Sequence, residues 1–85
     1  MKTFDYVITD PEGIHARPAG LLVKEANKYQ SSISIAKGDK SGDLKRIFSV
    51  MGLAAKKGET ITISADGPDE EQAITALEAA FTQNL

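Results

Sequence analysis

Residues 13–29 read GIHARPAGLLVKEANKY. Within this stretch Ala19, Leu22, Val23, Ala26 and Tyr29 recur at helical spacing, with Lys24, Glu25 and Lys28 on the other side. Pro18 falls in the first turn, where the N–H it lacks would have had no acceptor inside the helix. The pattern predicts a helix from Ala16 to about Tyr29, entered immediately after His15. His15 is the only histidine in the chain, and a guanidinium, Arg17, follows it two positions on.

The period changes on both sides of this helix. Upstream, KTFDYVIT (2–9) alternates, with Phe4, Tyr6 and Ile8 on one face and Thr3, Asp5 and Thr9 on the other, so a half-buried strand is expected. DPEG (10–13) then supplies four turn formers. Downstream, SSISIA (31–36) alternates with Ile33 and Ile35 inward, and Gly38-Asp39 predicts a tight hairpin into a short polar strand. IFSVMGLAA (47–55) suits either a buried strand or a short helix. The lack of clean alternation around Met51 and Gly52 favours the helix.

KKGE (56–59) breaks the chain before another alternating strand, TITISA (60–65), led by Ile61 and Ile63. In DGPDEEQ (66–72), Asp69 is the expected N-cap of a last helix, with Gln72 three residues on in a variant of the capping box. The acidic cluster there favours the positive end of the helix dipole. Ala73, Ile74, Leu77, Ala80 and Phe81 form its apolar stripe, over about three turns.

The element order is therefore β-α-β-β-α-β-α. Strands with one apolar face covered by amphipathic helices make a two-layer α+β sandwich, with the Thr-, Ser- and Asp-lined face of the sheet left wet. The 85 residues suit one domain spanning 1–85, and no repeat, low-complexity tract or linker interrupts them. With 41% hydrophobic residues, few aromatics and no tryptophan, the core must be aliphatic.

Composition narrows the function. Ten basic residues against twelve acidic ones give a net charge of -2, which does not suit a general nucleic-acid binder. Without cysteine, and with one histidine, disulfides, thiolate metal sites and a zinc site of imidazoles and thiolates are excluded. No metal or cofactor is implied. MKTFDYVITD has no apolar signal-like region, and no run approaches the roughly 18 apolar residues of a membrane span, so a cytoplasmic protein is expected.

At the entrance of the first helix, the N–H groups of Ala16 and Arg17 have no intrahelical carbonyl to bond. Those donors and the positive dipole end make an anion site, to which Arg17 adds a permanent charge. A neutral imidazole is abundant at physiological pH. A nucleophile, amide donors and a guanidinium in one place are what a covalently held phosphoryl group needs. Taken alone, a histidine in a turn is more often a solvated surface residue, and spacing does not decide between the two.

The segment GIHARPAGLLVKEANKY resembles the active-site segment of the HPr family, the histidine-containing phosphocarriers of the phosphoenolpyruvate-dependent sugar phosphotransferase system. DLKRIFSVMGLA, ETITISADG and DEEQAITAL are similar to the family's later segments, in the same order and spacing. The resemblance implies an open-faced sandwich with four antiparallel strands ordered 1-4-2-3 and three helices on one side. It implies that His15 takes a phosphoryl group on Nδ1 from phosphorylated enzyme I and passes it to sugar-specific IIA domains, with Arg17 neutralising the phosphate. The family's docking surface maps onto Ala16, Gly20, Lys24, Ile47, Phe48 and Met51. Ile47 and Phe48, adjacent in a short segment, cannot both point inward easily, so one of them is expected at the surface. Such a carrier forms a covalent intermediate without being a catalyst in its own right, and a monomer is expected, since partners need the surface around His15.

Two positions depart from the family. Many members carry a regulatory serine where this chain has Arg46, which offers no hydroxyl and cannot mimic phosphoserine. Ser49 lies one helical turn away, with nothing in the sequence to mark it for a kinase. Glu12 stands where a small polar residue is usual. Its carboxylate can accept a hydrogen bond from the ring and would also repel an incoming phosphate, or it can point away into solvent. Other readings are a specialised carrier, such as a nitrogen-branch paralogue with other partners, and a binding-only regulator, which the presence of His15 disfavours.

Overall fold

The alternating segments pair into one antiparallel sheet: β1 (Lys2–Val7), β2 (Ser32–Lys37), β3 (Lys40–Asp43) and β4 (Thr60–Asp66). The computed structural model describes residues 1–85, and in it the strands run in the order β1-β4-β2-β3. β4 lies between β1 and β2, with Phe4 opposite Ile63 and Tyr6 opposite Ile61 on one side and Ile35 opposite Ile63 on the other. Because strand side chains alternate, this register puts every isoleucine of the central strands on one face. The hairpin between β2 and β3 turns on Gly38 and Asp39, with Gly38 in the left-handed region (φ 62°) that a two-residue loop needs at its first central position.

Three helices cover that face: α1 (Ala16–Ala26), α2 (Ile47–Gly52) and α3 (Glu70–Asn84). Leu22 and Ala26 of α1, Val50 of α2 and Leu77 and Phe81 of α3 meet Ile33, Ile35, Ile61 and Ile63 in one core of buried aliphatics. Phe81 is the aromatic centre, edge-on to Phe4 and Tyr6 with ring centroids 5.7 Å apart in each case. The opposite face is polar and wet as expected; there the Thr62 hydroxyl donates to Asp5 Oδ1 across the β1–β4 pair at 2.7 Å.

Several boundaries differ from the sequence reading. α1 stops at Ala26, because Asn27 turns its Nδ2 onto the carbonyls of Val23 and Lys45 and the next N–H groups close tighter i→i-3 bonds. α3 is longer than three turns, running 15 residues to Asn84, where buried Leu85 anchors its end. The capping box at Asp69 does not form. Asp69 holds the N-cap position, but its carboxylate reaches across the molecule to accept the N–H groups of Gln30 and Ser31, both at 2.9 Å, and the Ser31 hydroxyl. Gln72 is exposed, and it is Glu70 Oε1 that accepts the Gly67 N–H.

Candidate functional site

The loop from β1 to α1 is built as a rigid turn. Asp10 Oδ1 accepts the Glu12 N–H at 2.8 Å and the Asp10 carbonyl accepts the Gly13 N–H at 2.9 Å. Gly13 sits at φ 69°, and a Cβ there would overlap the Ala55 carbonyl oxygen. Ile14 is buried, and its N–H donates to that same oxygen at 3.0 Å. The chain therefore reaches His15 anchored on the side facing the core.

His15 is the N-cap residue of α1, with extended backbone (φ -97°, ψ -177°). Its carbonyl accepts the first helical bond, from the Ala19 N–H at 3.0 Å, but its side chain makes no capping hydrogen bond. Pro18 has no N–H to offer. The N–H groups of Ala16 and Arg17 are thus left without an acceptor from the chain, and the first turn contains no acidic residue. The ring itself is about one-third exposed.

His15 and Arg17 line one shallow depression of about 210 Å³, together with Asp10, Pro18, Leu21, Gln83 and Asn84. Arg17 is exposed and forms no ion pair, so its charge is free to meet an anion. A wider depression of about 610 Å³ lies on the open face of the sheet, over Ser32, Ser34, Ser41 and Ser64. It brings two carboxylates, Asp43 and Asp66, together with Lys45, whose Nζ already donates to the Tyr29 carbonyl at 2.7 Å, and Met1, whose ammonium pairs with Glu70. The cations there are already committed, whereas at the α1 entrance, which also holds two carboxylates, Asp10 and Glu12, the Arg17 guanidinium and two N–H groups are free to meet an anion.

Glu12 does not point away. Its Oε2 stands 3.6 Å from His15 Nε2, and Asp10 Oδ2 stands at the same distance. Asp10 was not singled out by sequence. The available signal was its place at the head of a four-residue turn, which folds a side chain at the first position back toward the residues that follow.

The remaining predicted positions fall on two neighbouring helices. Gly20 is half-buried and Lys24 exposed on α1; Ile47, Phe48 and Met51 are all exposed on α2, Phe48 at 88%. Ile47 and Phe48 do not both point inward, and in fact both reach the surface: the short helix buries Val50, followed by Leu53, and turns its other apolar side chains outward. Arg46 is the N-cap of α2, exposed, with Nε 3.6 Å from Asp43 Oδ2. Ser49 is half-buried against Gly42 of β3, where even an added Cβ would come within 3.1 Å of its own Cβ.

This architecture, with a histidine at the entrance of its first helix, is that of the small phosphocarriers of the phosphotransferase system. The chain belongs to their HPr family: the family model described as "PTS HPr component phosphorylation site" matches residues 2–83. It is 52% identical over 77 residues to the phosphocarrier protein HPr of Mycoplasma capricolum, covering 91% of this chain and 86% of the relative. To that of Mycoplasma genitalium it is 45% identical over 85 residues, covering 99% and 97%. A solved mycoplasma histidine-containing phosphocarrier superposes with a TM-score of 0.95 at 48% identity, over 96% of this chain and 93% of the other. The strand order 1-4-2-3 and the three helices agree with the fold that the resemblance implied.

Proposed function

We propose that this protein accepts a phosphoryl group on His15 Nδ1 from phosphorylated enzyme I and hands it to sugar-specific IIA domains. The observation that carries the reading is the grouping at one helix entrance of a solvent-facing imidazole, two unpartnered N–H groups and an unpaired guanidinium. Phosphoryl transfer requires in-line positioning and neutralisation of charge on the equatorial oxygens more than covalent help from the protein. Ala16 and Arg17 N–H groups and the Arg17 side chain supply that neutralisation. With Nε2 facing two carboxylates, Nδ1 is the ring nitrogen left to act as nucleophile.

Ala16, Gly20 and Lys24 of α1 and Ile47, Phe48 and Met51 of α2 form the docking surface in this reading. An exposed apolar patch rimmed by charge suits a carrier that must fit several partners and release each. The protein works in the cytoplasm, as one domain and one copy, without a cofactor. Regulation at position 46 is lost, because Arg46 has no hydroxyl and Ser49 is packed against β3.

Incubation with phosphoenolpyruvate and enzyme I tests the assignment. The expected product carries one acid-labile, alkali-stable phosphate, and His15→Ala takes none. Label that survives the substitution means that another nucleophile is used.

A further inference from the structure

We propose that Asp10 and Glu12 are positioning residues that keep the ring proton of His15 on Nε2 throughout the relay, so that Nδ1 takes up and releases the phosphoryl group without any proton transfer. The inference rests on the reading of His15 as the phosphoryl acceptor. Its basis is that two carboxylate oxygens from one turn stand 3.6 Å from the same ring nitrogen. The charged groups facing the ring are these two carboxylates and Arg17; α3 contributes only the neutral Gln83 and Asn84.

The two carboxylates are not equivalent. Asp10 is three-quarters buried, with Oδ1 fixed by the Glu12 N–H and Oδ2 left for the ring, so its orientation is set before any ligand arrives. Glu12 is 74% exposed, and no other group of the chain holds its carboxylate. Asp10 therefore carries the larger share.

In the neutral ring, a proton on Nε2 facing carboxylates leaves the lone pair on Nδ1. During uptake that lone pair forms the Nδ1–P bond while the bond from phosphorus to the donor breaks, its electron pair staying with the donor. The phosphorylated ring is then a cation whose Nε2–H still faces Asp10 and Glu12. In release, a lone pair of the acceptor's nucleophile bonds phosphorus while the Nδ1–P bond breaks and its electrons return to Nδ1. The ring departs as neutral imidazole and not as imidazolate, a far poorer leaving group. The same proton stays in place through both half-reactions.

The test uses the whole protein with 15N-labelled histidine, as wild type, Asp10→Asn, Glu12→Gln and the double variant. Asn and Gln keep the size of the side chain, and the amide oxygen introduced by Asp10→Asn can still accept the turn N–H. The 15N shifts of the neutral, unphosphorylated ring report the tautomer, and decay of the phosphorylated protein in mild alkali reports the lability of the N–P bond. The wild type is expected to be almost wholly the Nε2–H tautomer. The double variant should shift toward Nδ1–H and hold its phosphoryl group about three- to tenfold longer, as loss of two partly exposed charge pairs implies. Asp10→Asn should have the larger single effect. A tautomer ratio or a lifetime unchanged in the double variant overturns this inference alone. A wild type that takes no label at His15 overturns the parent reading, and the relay with it.

Discussion

α1 and α3 both begin at a non-helical residue that follows a turn, yet their first turns are opposites in charge. The first turn of α3 holds Glu70 and Glu71, so its positive dipole end is met by acids from the chain itself. The first turn of α1 holds no acid, has a cation at its second position, and is preceded by an imidazole that does not cap. The entrance of α3 is neutralised internally. The helix that would hold an anion keeps its donors uncommitted, a local cost in stability that serves the site.

The largest change to this contrast is expected from Arg17→Ala. Removing the free guanidinium takes away a charged hydrogen-bonding partner of the phosphoryl group. Hydrogen bonds to charged groups are worth about 1.5–3 kcal/mol, so phosphoryl uptake should slow by roughly tenfold to a hundredfold. Stopped-flow or quenched-flow phosphorylation by enzyme I measures it, and the thermal stability should stay unchanged because Arg17 pairs with nothing.

At the α3 end the effect should fall on stability alone. The Ser31 hydroxyl, and after it the Gln30 N–H, hold the Asp69 carboxyl below its ordinary value of 3.8. A carboxyl lowered by folding stabilises fully above its unfolded value and loses that contribution as pH falls through its folded one. The wild type should therefore lose Tm as pH drops below about 4, the ordinary carboxylate value. Asp69→Asn should begin from a lower Tm at neutral pH and show a shallower acid loss, with phosphorylation of His15 unaltered.

The smallest effect sharpens the comparison by making α1 resemble α3. Ala16→Glu places an acid in the first turn and should stabilise the helix by about 0.3–1 kcal/mol in urea denaturation. The same carboxylate opposes the incoming phosphate, so uptake should slow while stability rises. Equal movement of both quantities in one direction would dissolve the trade between them.

Much of the fold was legible because the period switches cleanly between 2 and 3.6, as at Thr60–Ala65 against Ala73–Phe81. The order of the strands was not: pairing is long-range, and it came from the family resemblance. Pro18 and the position of His15 exposed the uncommitted amides, since these follow from local helix geometry. Tertiary competition hid the rest. Asp69 looks like a local cap, but the α1–β2 connection offers it three donors and wins. The sequence left Glu12 open between the ring and solvent, and the turn's three-dimensional course decides for the ring and brings Asp10 beside it. Ile47 and Phe48 both face out because a six-residue helix over a narrow edge strand can bury only one side, that of Val50.

The central claim is that the phosphoryl group on His15 is held by the amides at the α1 entrance. Phosphorylation of 15N-labelled protein, followed by amide proton and nitrogen shifts, addresses it directly. The account predicts that the Ala16 and Arg17 amides move furthest downfield, as donors gaining an anionic acceptor, while those of Glu71 and Gln72 in α3 stay still. Unmoved Ala16 and Arg17 signals in a protein shown to carry phosphate on His15 would contradict it.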